Sequence, residues 1–132
     1  MVLAQVLRDE FSAGFFDAAA EGRLAVRRCE NGHFLPATLG YMGPATRCPD
    51  CLSPNIDWVS ACGDATLVSW TVTHAKDGSS NQVAAMVELA EGPWMTVALD
   101  VEPDADLQVG DPLRVIFVCS EGGEYVPVFV RS

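Results

Sequence analysis

Cys29-Glu30-Asn31-Gly32-His33 and Cys48-Pro49-Asp50-Cys51 are the two stretches that divide this chain. Two thiols separated by two residues sit naturally on one tight turn, and a tetrahedral metal site is commonly built from two such turns. Cys48 and Cys51 have that spacing, and Pro49 shapes the turn. The first turn is less regular. Gly32 stands where a second cysteine would sit, and His33 follows it. Imidazole reaches further than a thiol, so one extra residue of spacing is tolerated. The pattern predicts a Cys3His set of Cys29, His33, Cys48 and Cys51, with Cys62 the competitor for the fourth position. Zinc suits this set better than an iron–sulfur cluster, because the histidine breaks a four-thiolate arrangement. Four protein ligands leave no open position for a reactive water, so the expected role is structural. Residues 29–58 hold few large apolar side chains, so a bound metal would supply most of their folding free energy.

On the N-terminal side, Leu3, Leu7, Phe11, Phe15 and Ala19 recur every four residues, with Phe16 beside them. This period predicts a helix from Leu3 to Ala20, with a break near Ser12–Gly14 and a stop at Gly22. Its aromatic face packs either on its own domain or against a partner chain. Leu24-Ala25-Val26-Arg27-Arg28 reads as a strand leading into the first turn. Residues 34–47 hold Pro36, Gly40, Gly43 and Pro44 and read as loop or short strands.

On the C-terminal side the period changes to two from Trp58 onward. Val68, Trp70 and Val72 form one face of a strand. Val83, Ala85, Val87 and Leu89 form a second, and Met95, Val97, Leu99 and Val101 a third. Leu113, Val115, Phe117 and Cys119 form a fourth, and Val126, Val128 and Val130 a fifth. Asp77-Gly78-Ser79-Ser80, Glu91-Gly92-Pro93, Val109-Gly110-Asp111-Pro112 and Glu121-Gly122-Gly123 separate them as turns. Five short strands in sequence predict a small closed barrel, which leaves no long open edge. The fold class is therefore mainly β with an N-terminal helix. The expected units are residues 1–22 (helical), 23–58 (metal ribbon) and 59–132 (barrel).

The chain has 132 residues, of which 49% are hydrophobic, enough for a packed core. No apolar run is long enough for a membrane-spanning helix, and Met1 to Glu10 lacks the pattern of a secretory signal. The expected location is the cytoplasm, where five cysteines stay reduced. Net charge is −10 with eight Lys and Arg, which argues against nucleic-acid binding. No phosphate-binding or nucleophile-elbow motif is present. His74 ends a strand face and reads as structural. Asp100, Glu102, Asp104 and Asp106 read as a solvated loop without calcium spacing. Cys119 continues a core face and reads as a buried, inert thiol.

Taken in order, these pieces resemble an acyl-CoA-associated family that joins a rubredoxin-like zinc ribbon to an OB-fold. The matching pieces are Glu21-Gly22-Arg23-Leu24, Arg28-Cys29, Cys48-Pro49-Asp50-Cys51, the stretch from Gly63 to His74, and the stretch from Val87 to Pro93. Val109 to Val115 and Pro127-Val128-Phe129 complete the series, so the resemblance covers residues 11–131. It implies a zinc ribbon followed by a five-stranded OB-fold barrel. It also implies an accessory subunit beside a thiolase-like, aldolase or hydratase chain that acts on CoA thioesters, with the catalytic group on that partner. The chain departs from the family at Gly32, where the usual second ribbon cysteine is missing. Under this resemblance Arg23, Arg27 and Arg28 are candidates to meet CoA phosphates. OB barrels also bind single-stranded nucleic acid, and a stand-alone CoA-ester enzyme using His74 is the third reading.

Overall fold

The computed structural model describes residues 3–37, 46–74 and 81–132. The turns expected at Gly40, Gly43 and Pro44 and at Asp77-Gly78-Ser79-Ser80 lie outside the described residues. In chain order the elements are α1 (Ala13–Ala20), β1 (Leu24–Cys29), β2 (Phe34–Leu35), β3 (Ile56–Ala61), β4 (Asp64–His74), β5 (Asn81–Leu89), β6 (Trp94–Leu99), β7 (Pro112–Cys119) and β8 (Tyr125–Arg131). Strands β2-β1-β3 form a three-stranded sheet, and β4-β5-β6-β8-β7 close into a barrel. The fold is thus mainly β with one short helix. β3 pairs with β1 as far as Leu24↔Ala61, so it runs through the division at residue 58 drawn from the change of period.

The N-terminal helix is shorter than its apolar period predicts. The Asp9 carboxylate accepts the backbone N–H groups of Phe11 and Ser12, and the Ser12 hydroxyl accepts the Asp9 N–H. This local turn competes with helical bonding and makes Ala13 the first helical residue. Upstream of it the chain runs as an arm along the β7–β8 hairpin. Glu121 and Glu124 N–H groups donate to the Leu3 and Val6 carbonyls, and Val6 N–H donates to the Ser120 hydroxyl. Arg8 fastens the arm through ion pairs to Glu124 and Asp17. The helix ends as expected at Gly22: Arg23 N–H reaches Ala18 C=O and Gly22 N–H reaches Ala19 C=O, a Schellman pattern. α1 packs on β1 and β8 of its own chain.

Two strand faces differ from the alternation read in the sequence. The β4–β5 register slips between Leu67 and Ser69, so Val68 is the extra residue of a bulge and Leu67 takes the core position. In β8, Val115↔Phe129 pairing puts Phe129 inside the barrel, while Val126, Val128 and Val130 lie on the other face. Val128 is nonetheless fully buried, because α1 packs against β8 there. Cys119 ends β7 exposed rather than buried.

The barrel core gathers Leu67, Val83, Val87, Leu99, Leu113 and Phe129. Leu24 and Val26 of β1 belong to the same cluster, and Phe15, Val59 and Ala61 pack against it. The three-stranded sheet therefore rests on the barrel through the first half of β1. Cys29, Leu35 and Cys48 form a separate small cluster at the other end of β1.

Candidate metal centre

Cys29 closes β1, and its N–H donates to the His33 carbonyl across a three-residue loop, Glu30-Asn31-Gly32. Such a hairpin loop needs one residue in the left-handed region, usually glycine, and Gly32 has φ +88°. In the second turn the left-handed residue is Leu52, φ 62°, one position after Cys51. The two turns are therefore out of step by one residue. In the second turn a cysteine precedes the left-handed position; in the first that position falls on Gly32, and the candidate donor comes next, at His33.

The four candidate donor atoms lie within 4.8 Å of one another. Cys29 Sγ and Cys48 Sγ are 3.3 and 3.6 Å from His33 Nδ1, and Cys29 Sγ is 3.8 Å from Cys51 Sγ. A tetrahedral ion with Zn–S of about 2.3 Å and Zn–N of about 2.0 Å separates its donors by about 3.8 Å for S···S and about 3.5 Å for S···N. The set fits, and it could hold a metal ion such as zinc. Cys62 is not part of it: that thiol is exposed, 3.9 Å from Asp64 Oδ2.

The surroundings favour thiolate at the rim. Asn31 Nδ2 donates to Cys51 Sγ at 3.2 Å, and with the Ser53 backbone N–H it holds the Cys51 thiol down to about 6. Burial pushes the Cys48 thiol up. Contacts with the Cys51 and Cys29 sulfurs push His33 up. Both shifts belong to the metal-free set, and an ion would reverse them by favouring thiolate and neutral imidazole. The Glu30 carboxylate ties the turns together, accepting from Ser53 Oγ at 2.6 Å and Asn55 Nδ2 at 2.8 Å. Glu30, Asn31 and Ser53 were not singled out by spacing. Their signal was only that polar turn residues flank the cysteines.

The three arginines do not converge. Arg27 and Arg28 are successive on β1 and point to opposite faces. Arg23 bonds Glu21 and Ser60. Arg27 stacks 4.0 Å over Trp58 and donates to the carbonyls of Phe11 and Ala37. Arg28 lies 5.3 Å from the Phe34 ring. Arg27 also lines an apolar cleft of about 610 Å³ with Phe11, Phe15, Pro36, Met86 and Trp94. Phe11 and Phe15 share the four-residue stripe, but no sequence period links them to Arg27, Pro36, Met86 and Trp94, which only the tertiary structure brings around one cleft. His74 is exposed at the end of β4, with Nδ1 3.0 Å from Asn81 Oδ1. Trp70, Trp94 and Tyr125 are exposed on the barrel strands.

Residues 58–118 match the family model described as ChsH2, C-terminal OB-fold domain. Among solved structures the chain is similar to one described as Ltp2-ChsH2(DUF35) aldolase, at 26% identity and a TM-score of 0.78. That match covers 96% of this chain and 98% of the other. No curated protein matches. Both matches carry the ChsH2 name and agree with the OB-fold that the sequence resemblance implies.

Proposed function

We propose that this chain, whose barrel belongs with the ChsH2-type OB-folds, is a non-catalytic, zinc-binding accessory subunit of an enzyme complex that acts on CoA thioesters. The observation that carries this reading is the end-to-end match to a chain of an Ltp2-ChsH2(DUF35) aldolase, metal turns and barrel together. An aldolase subunit is accordingly the first-choice partner, and a thiolase-like subunit the second. In this reading the Cys3His centre fixes the ribbon and carries no reaction, since Cys29, His33, Cys48 and Cys51 close the coordination sphere. The reacting groups belong to the partner. This agrees with His74 pairing only with Asn81 among its described hydrogen bonds. No helix among the described residues is long and apolar enough to cross a membrane, and free thiols suit a reducing cytoplasm.

Of the arginines, Arg27 is placed best to meet an acyl-CoA, because it lines the cleft. Arg23 and Arg28 would have to meet phosphates from separate surfaces. Replacing Arg27 and Arg28 by alanine should raise the complex's KM for the CoA ester. An unchanged KM removes the phosphate role.

The test of the function is purification of the tagged full-length chain from its host, with metal analysis and acyl-CoA assays. The expected result is about one zinc per chain, a stoichiometric acyl-CoA enzyme partner, and turnover by the complex but not by the isolated chain. Turnover by the isolated chain, abolished in His74→Ala, would establish the stand-alone enzyme instead. Exposed Trp70 on β4 and Trp94 on β6, the two strands that flank β5, give the nucleic-acid reading its structural support. Salt-sensitive retention on single-stranded DNA without an enzyme partner would establish it.

A further inference from the structure

The two edges of β4 are treated differently. One edge pairs with β5 from Ala65↔Leu89 to His74↔Asn81. The other pairs with β7 only at Asp64, Ala65 and Thr66. Its last backbone bonds are Leu67 N–H to Asp111 C=O and Gly110 N–H to Leu67 C=O. From Val68 to His74 no strand among the described residues pairs with this edge.

The ladder decides which groups face outward. Leu89 N–H bonds Pro93 C=O, so alternation along β5 turns the Met86 backbone groups toward β4. Met86 faces Ser69. Ser69, Thr71 and Thr73 therefore direct their N–H and C=O groups to β5, while Trp70, Val72 and His74 direct theirs to the open edge. Exposed edges are normally blunted by lysine, proline or inward charges. Ala65 to His74 contains no Lys, Arg, Asp, Glu or Pro and is rich in β-branched residues. Trp70 is 38% exposed. Only another backbone supplies donors and acceptors at strand spacing, so the complement of this edge is an extended polypeptide.

Charge selects which polypeptide. The chain carries −10, so a second copy brings like charges together. The open edge starts beside Asp111, with Asp64 at the head of the same strand. A strand that is uncharged in its centre and carries Lys or Arg at one end complements both features. We propose that the enzyme subunit of the complex adds such a strand to β4 along Trp70–His74. This rests on the accessory-subunit reading and names how the partner is held.

The test is amide hydrogen exchange on the full-length, nitrogen-15-labelled chain, alone and in complex with the acyl-CoA enzyme subunit that co-purifies with it. The expected pattern is alternate: Trp70, Val72 and His74 amides slow at least tenfold in the complex, while Ser69, Thr71 and Thr73 are protected in both states. Val72→Pro removes an outward N–H together with a side chain that packs on the barrel core, and Val72→Ala controls for the side chain. The proline variant should weaken the complex at least tenfold more than the alanine variant. A complex in which the three amides exchange as in the free chain overturns the docking mode and leaves the function standing. Protection that grows with concentration of the free chain assigns the edge to self-association and overturns the hetero-partner. Absence of any acyl-CoA enzyme partner overturns both readings.

Discussion

Removing the metal should unfold one end of the molecule and spare the other. The cluster around the Cys3His set has a single large fully buried side chain, Leu35, with Ile56 partly buried beside it. Burying one leucine is worth about 2–3 kcal/mol, whereas fixing a single residue's backbone costs about 1–2 kcal/mol. Residues 29–37 and 46–55 are too many for that burial to hold in place. A structural zinc supplies about 10–16 kcal/mol, which is the scale required. The loss should stop partway along β1, because Leu24 and Val26 sit in the barrel core. The assay is amide exchange after dialysis against a strong chelator at neutral pH. The informative amides are Cys29, Gly32, Cys48 and Leu52, whose N–H groups make the backbone bonds of the two turns. They should exchange near unfolded-chain rates, while Leu67, Leu89 and Val115, bonded within the barrel, keep their protection. Two results would refute the reasoning: unchanged protection in protein shown to be metal-free, or melting of the barrel together with the turns.

Further outcomes follow from the same geometry. His33→Ala should abolish stoichiometric zinc, while Cys62→Ser, remote from the donor set, leaves it at the wild-type level by elemental analysis. Gly63→Ala should destabilise the chain by about 1–3 kcal/mol in urea unfolding. Gly63 has φ +91°, and an added Cβ would sit 2.7 Å from Val115 Cγ1; a loss below about 0.5 kcal/mol would contradict this. The Glu124 carboxyl is held below its usual range by Arg8. Its contribution is therefore present above the ordinary carboxylate pKa and lost as pH falls through the depressed one. The N-terminal arm should detach at acid pH before the barrel unfolds, followed by the Glu124 amide that bonds Val6 C=O. Arg8→Ala should free it already at neutral pH.

Much of the barrel was legible because alternation is a local signal. Val83, Ala85, Val87 and Leu89 are all buried or nearly so on one face of β5, as their spacing predicts. The gathering of Cys29, His33, Cys48 and Cys51 was legible for a similar reason, since Cys48-x-x-Cys51 reports a turn geometry within four residues. The failures share a cause. The stripe Leu3–Leu7–Phe11 obeys a helical period, yet Asp9 and Ser12 satisfy the backbone in another way, and the hairpin ending in Glu124 offers the arm a partner distant in sequence. Val126, Val128 and Val130 looked like the inner face of a strand. They form its outer face because α1 arrives to cover them, leaving Phe129 for the interior.

The amino-acid order by itself determined the barrel strands, the turns and the types of candidate donor, because each depends on chemistry within a few residues. Tertiary structure alone decided which faces are inside, how the bulge at Val68 resets β4, and that Cys62 stays apart from the cluster of Cys29, His33, Cys48 and Cys51. It also decided that β4 keeps one open edge, since strand pairing depends on where β7 parts from β4 and not on the sequence of β4. Such contacts join residues far apart in the chain, and no local propensity specifies them.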